Sequence, residues 1–225
     1  MKFSTVLLLS SFMVGSFSFD MQAKCYEKVG VPKRLKRSVR TRPHIAVPSE
    51  LPGIVSLFAF RPDTAKPLSE LAQILLVNRS SLSRGERELI ASYVSSLNQC
   101  NFCCNSHSAV AERLLEGGAQ VVQAVKDDLA SAPISEKMRA LLAIAGKVQS
   151  DARTVSDEDV ARARELGATD LEIHDTVLIA AAFCMYNRYV DGLASFTPTD
   201  EAVYAAIGER LAANGYINAG QPASR

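Results

Sequence analysis

Two cysteines three residues apart, with a histidine four residues beyond the second, are the side chains of this sequence best suited to chemistry. They lie in the run Asn98-Gln99-Cys100-Asn101-Phe102-Cys103-Cys104-Asn105-Ser106-His107. On a helix, residues three or four apart share a face with their Cβ atoms about 5–6 Å apart. His107 then neighbours Cys103, and Cys100 lies one turn below. A slightly tightened first turn brings the two cysteines to the ~3.5–4.5 Å Cβ separation a disulfide needs. If the helix begins near Cys100, its unpaired amides and partial positive charge favour a thiolate there. A nearby imidazole can take the thiol proton. Such a group supports a dithiol–disulfide cycle, in which one thiolate attacks an electrophilic oxygen or sulfur and the other thiol resolves the product as a disulfide.

Two plainer uses compete. A structural disulfide would close a loop within one helical turn, which constrains little chain entropy. Zinc could be ligated by Cys100, Cys103, Cys104 and His107, but adjacent cysteines diverge on a helix and make a single-helix tetrahedral site awkward. No metal is expected. Cys184 sits in an apolar run after Ala180–Phe183 and reads as core. Cys25 has no assigned role, and in an exported protein it would be free or paired between chains. His44 and His174 lack companions at useful spacing. Asn187 and Arg188 read as hydrogen-bonding residues between helices.

The elements that must position the cysteines are helical. Leu68, Leu71, Ile74 and Leu75 recur at three- and four-residue spacing, with Pro67 placed to open their helix. Ser83 and Glu86 form a capping-box pattern ahead of Leu89, Ile90, Tyr93, Val94 and Leu97. The cysteine helix starts around 100–102, carries Val110, Leu114 and Leu115, and stops at Gly117-Gly118. Further helices are expected at about 119–129, 135–150, from Ser156 to near Gly167, from Asp170 to about Leu193, and 199–213. No useful stretch alternates with period two, so the fold class is all-α, a bundle of about eight helices. The stretches 66–117 and 135–194 each read as helix-turn-helix, as a duplicated unit would.

Residues 1–19 read as a signal peptide: Lys2 precedes the apolar runs Val6–Leu9 and Phe12–Val14, then the small Ser16 and Ser18. Residues 20–49 form a basic, Pro-containing arm, 50–213 the helical domain and 214–225 a flexible tail. A genuine leader makes the protein exported, periplasmic or secreted. A start at Met13 or Met21 leaves it cytoplasmic. With 25 Lys plus Arg against 24 Asp plus Glu, no overall field favours nucleic acid or an anionic membrane. Aromatics at 7% with no Trp argue against base-stacking platforms or a carbohydrate groove.

The pattern C-x-x-C-x-x-x-H, with a glutamate twelve residues before the first cysteine, resembles the alkylhydroperoxidase D-like, peroxidase-related branch of the carboxymuconolactone decarboxylase superfamily. Here that glutamate is Glu88 in Arg87-Glu88-Leu89-Ile90-Ala91, which on its own would read as a solvated helix face. Leu82–Ala109 and Asn187-Arg188 are also similar to that branch, and the resemblance spans about residues 50–213. It implies that Cys103 attacks peroxide, that Cys100 resolves, and that His107 and Glu88 handle the proton through a water. It further implies reduction of organic hydroperoxides, a dithiol donor such as a lipoyl or thioredoxin-like protein, no bound cofactor, and a homo-oligomer with a dimer or trimer unit. Two departures stand out: Phe102 occupies the place of a second histidine, and Cys104 is an addition. Competing functions are thiol–disulfide exchange without peroxide, the decarboxylase or lactone chemistry of the other branch, and a non-enzymatic redox sensor.

Overall fold

The computed structural model describes residues 42–48 and 50–217, and among these it holds nine α-helices and no strand. The expected signal peptide, nearly all of the basic arm, Cys25 and residues 218–225 lie outside the described residues. In chain order the helices are α1 (Ile54–Phe60), α2 (Pro62–Leu76), α3 (Arg84–Leu97), α4 (Asn101–Leu114), α5 (Gly118–Asp127), α6 (Glu136–Asp151), α7 (Asp157–Glu165), α8 (Asp170–Gly192) and α9 (Glu201–Asn214). A 3-10 turn at Ala152–Thr154 links α6 to α7.

Most helix starts follow from local chemistry. The side chains of Ser83, Ser135, Ser156, Thr169 and Asp200 each accept a backbone N–H of the first turn. Glu86, Asp159 and Glu172 complete capping boxes. The opening of α2 differs from the sequence expectation. Pro62 begins the helix, at the position where a missing N–H is harmless, and Pro67 sits inside it. The short α1 was not expected among the prolines around it.

Helix α3 is the central element. Its Leu89, Ile90, Ala91 and Val94 are buried, and it packs against α4, α6 and α8. Each such fully buried Leu or Ile contributes roughly 1.5–3 kcal/mol. Helix α4 is held between α3 and α9. There Gly208 of α9 is required, because a Cβ at that position would stand 2.7 Å from the Ala109 carbonyl oxygen.

Two arginines near the start of α3 close other helices. The Arg87 guanidinium is buried and donates to the carbonyls of Leu75 and Asn78 at the end of α2. Arg84 donates to the Leu211 and Ala212 carbonyls at the end of α9. In α2, Leu75 is buried and Leu68 and Leu71 are half-buried, but Ile74 faces outward. Among the described residues no helix is long and apolar enough to cross a membrane.

Candidate active site

The cysteine pair is positioned by the tight turn between α3 and α4. Gln99 adopts φ +58°, a left-handed conformation that ends α3. The Cys100 amide donates to Ser95 O at 3.0 Å and the Gln99 amide to Ser96 O at 3.0 Å, the paired bonds of a Schellman motif. The residue after that turn is the N-cap of α4, and it is Cys100. Cys103 therefore falls in the first turn of α4, where the helix carries its partial positive charge.

A polar network pins this turn to α8. Asn98 Nδ2 donates to Asn187 Oδ1 at 2.8 Å, and Asn187 Nδ2 donates to Ser95 Oγ at 3.1 Å. Gln149 Nε2 of α6 donates to Asn98 Oδ1 at 2.9 Å. Asn187 thus ties helices together, as its sequence context suggested. Arg188 instead bonds the Cys184 carbonyl of its own helix.

Both sulfurs are thiols and both are buried, Cys100 at 0% exposure and Cys103 at 4%. Cys100 packs among Phe102, Val190 and Tyr204. Its hydrogen bond with Cys103, reinforced by burial, pushes the Cys100 thiol far above its ordinary value. The expectation that the helix start favours a thiolate at Cys100 is therefore corrected: complete burial and the neighbouring sulfur outweigh the amides.

Glu88 comes from the middle of α3 and is fully buried, so it is no solvated helix face. Its Oε2 lies 2.8 Å from His107 Nδ1, a direct contact. The other oxygen, Oε1, accepts from Tyr216 Oη at 2.7 Å. Tyr216 Oη also approaches His107 Nδ1 at 3.3 Å, and the two rings stack with an interplanar angle of 14°. Phe183 meets the imidazole edge-on from the other side. With Nδ1 engaged by the carboxylate, Nε2 is the imidazole nitrogen left to exchange a proton. Burial and then the Glu88 carboxylate push the Tyr216 phenol well above its usual value, so it acts as a donor.

A cavity of about 320 Å³ opens beside this group. Cys103, Ser106, His107 and Tyr216 form part of its lining, and Cys100 and Glu88 do not. Ile54, Phe58, Leu68, Phe183, Ile207 and Leu211 make its walls apolar. Phe102, in place of a second histidine, also lines it, with its ring seated against Gly53 and near Tyr204. The structure thus brings together Cys100, Cys103, His107 and Glu88. Cys104 is half-buried and outside the cavity lining, and Cys184 packs against the core. No cluster of three or more His, Cys, Asp or Glu side chains among the described residues could hold a metal ion.

Sequence reasoning missed Tyr216, which falls in the segment expected to be a flexible tail. It is 7% exposed, and its amide donates to Gln73 Oε1 at 2.7 Å. The signal for it is Asn214-Gly215-Tyr216: a glycine just past a helix end, here at φ +67°, followed by an apolar ring that folds back.

Comparison with known proteins places this site in a family context. The model of the carboxymuconolactone decarboxylase family matches residues 62–132, a span that contains Glu88, Cys100, Cys103 and His107. Among solved structures, the alkylhydroperoxidase AhpD core of a peroxidase-related protein from Ralstonia eutropha JMP134 is 28% identical. That match covers 70% of this chain and 81% of the other, with a TM-score of 0.63. A peroxidase-related protein from Silicibacter sp. TM1040 is 25% identical over 78% of this chain and 98% of its own, also at TM-score 0.63. A protein from Agrobacterium tumefaciens, 22% identical over 66% of this chain and 99% of its own at TM-score 0.56, shares the fold. No curated protein matches the chain. The match to the carboxymuconolactone decarboxylase family model thus takes in all four expected site residues, and the helical domain around them has the alkylhydroperoxidase D-like fold.

Proposed function

We propose that this protein is a thiol-dependent peroxidase that reduces organic hydroperoxides through a Cys100–Cys103 dithiol–disulfide cycle. The observation that carries this reading is the asymmetry of the two sulfurs. Cys103 lines an apolar cavity together with His107, and Cys100 lies behind it as a buried, hydrogen-bonded thiol. The likeness to peroxidase-related proteins supports the same reading.

In the proposed cycle the Glu88 carboxylate accepts a hydrogen bond from His107 Nδ1–H, and Nε2 takes the proton of Cys103. The Cys103 thiolate attacks the terminal oxygen of the hydroperoxide. The O–O bond breaks, the alkoxide leaves and receives the proton from His107, and Cys103 becomes a sulfenic acid. Cys100 then attacks the Cys103 sulfur, an S–S bond forms, and hydroxide departs with the Cys100 proton as water. Two electrons have passed from the dithiol to the peroxide. An external dithiol, of lipoyl or thioredoxin-like type, restores both thiols and leaves as its own disulfide. Were the leader genuine, that donor would have to act outside the cytosol.

A disulfide exchange enzyme that never meets peroxide is the nearest rival. Mass spectrometry of the reduced protein after one equivalent of alkyl hydroperoxide separates the two. The peroxidase reading expects a Cys100–Cys103 bond, no peroxide consumption by Cys103→Ser, and a trappable Cys103 sulfenic acid in Cys100→Ser. Oxidation confined to Cys104 or Cys184, or consumption surviving Cys103→Ser, would end it.

A further inference from the structure

We propose that the cavity is built for an amphipathic hydroperoxide bearing a carboxylate, whose anion pairs with Arg210 while its apolar body fills the space beside Cys103. This inference rests on the peroxidase reading for its chemistry but concerns the other end of the substrate.

The polar groups of the lining divide into those already engaged and those that are not. Tyr186 Oη donates to the Leu68 carbonyl at 2.9 Å, and Tyr216 and His107 are both held by Glu88. Arg210, Ser69 and Ser106 remain. Arg210, on α9, is half-buried at the cavity and has no carboxylate within ion-pair distance among the described residues, its neighbour Glu209 lying instead against Arg113. Every other permanently charged side chain is absent from the lining. Ser106 Oγ is buried and has no hydrogen-bond partner.

Apolar walls with a few fixed polar groups are the usual form of a small-molecule site. A guanidinium presents paired donors that match a carboxylate. Ser106 lies one helical turn beyond Cys103, on the same face of α4. The peroxide end then meets Cys103 and the carboxylate meets Arg210. The alkyl or aryl body then spans the apolar walls between the two anchors. A cavity of about 320 Å³ suits one such body and not a two-chain lipid.

The test compares three hydroperoxides of one skeleton: cumene hydroperoxide, its para-carboxy derivative, and the methyl ester of that acid. Single-turnover oxidation of Cys103 in the reduced protein gives the rate constants. The acid should react about ten-fold faster than the ester at limiting concentration, the size of one charge-assisted hydrogen bond. Arg210→Gln should bring that ratio near one, and Arg210→Lys should keep part of it. A parallel calorimetric titration uses the corresponding unreactive alcohols with the wild-type protein and with Arg210→Gln. Acid-selective binding that depends on Arg210 would support the inference even if no hydroperoxide reacts, which would sink only the peroxidase reading. Equal binding of acid and ester alcohols to the wild-type protein, or selectivity unchanged in Arg210→Gln, would overturn it.

Discussion

Replacing Glu88 by Gln keeps the side-chain shape and removes the charge at the centre of the hydrogen-bond group. The carboxylate now meets two donors, His107 Nδ1 at 2.8 Å and Tyr216 Oη at 2.7 Å, with one oxygen for each. A Gln amide has one oxygen and one NH2, so one of those donors must face an NH2. If the NH2 faces His107, Nδ1 becomes an acceptor and the proton moves to Nε2, the nitrogen needed as base. If the oxygen faces His107, the tautomer survives but the charge that stabilises an imidazolium is gone. Either way a charge-assisted hydrogen bond worth roughly 1.5–3 kcal/mol is lost. If all of it acts in the transition state for thiol oxidation, the rate falls roughly 10- to 150-fold. Rapid-quench mass spectrometry of Cys103 oxidation by cumene hydroperoxide measures this directly. Folding stability should change much less, because the cost of burying the charge disappears with it. The double variant with His107→Gln should be no slower than His107→Gln alone, since the two residues act as a unit. A Glu88→Gln protein with the wild-type rate constant would show that the imidazole needs no orienting carboxylate.

Other consequences can be checked separately. Gly208→Ala gains roughly 0.5–1 kcal/mol of helix propensity, but its Cβ would meet the Ala109 backbone at 2.7–2.8 Å. Overpacking of this kind costs about 1–3 kcal/mol, so the melting temperature should fall, and a rise would refute the close approach of α4 and α9. Burial pushes the Tyr186 and Tyr204 phenols up to about 12, while unfolded phenols titrate near ~10. Their contribution is complete below the unfolded value and is lost as pH climbs toward the folded one, roughly 2–3 kcal/mol each. Urea unfolding should therefore weaken steeply between about pH 10 and 12, and a flat profile there would contradict their burial. Leu171, Leu178 and Met185 stand exposed at seven-residue spacing on α8, a stripe fit to pair with the same helix of a second copy. On that reading Leu178→Glu should sediment with a smaller mass than the wild-type protein, and equal masses would remove this face as an interface.

Legibility followed the range of the interactions. The Ser83 capping box, the Gly117 stop, the Ser135 and Ser156 starts and the opening at Asp170 depend on residues within four positions, and all could be read from the sequence. The convergence of Cys103 with His107 is equally local, since one helix carries both. Glu88 is different. Its offset of twelve residues has meaning only once α3 and α4 fold back on each other, and resemblance supplied what spacing could not. The state of Cys100 depends first on its hydrogen bond with Cys103 and then on burial, and the burial comes in part from Val190 and Tyr204 of α8 and α9, which no local rule about helix starts could anticipate.

Tyr216 marks the limit of such reasoning and says something about the site itself. Phe102 leaves the cavity without the histidine that the family resemblance leads one to expect beside Cys103, and packs as an apolar wall instead. A polar group does reach the Glu88–His107 pair, but from the opposite end of the chain, delivered by the Gly215 turn and held by Gln73. Burial and the neighbouring carboxylate raise its phenol, so it stays protonated and donates to the buried Glu88 carboxylate. A phenol that stays protonated holds one carboxylate oxygen and leaves the other to His107 Nδ1, so the imidazole keeps one fixed orientation beside the cavity.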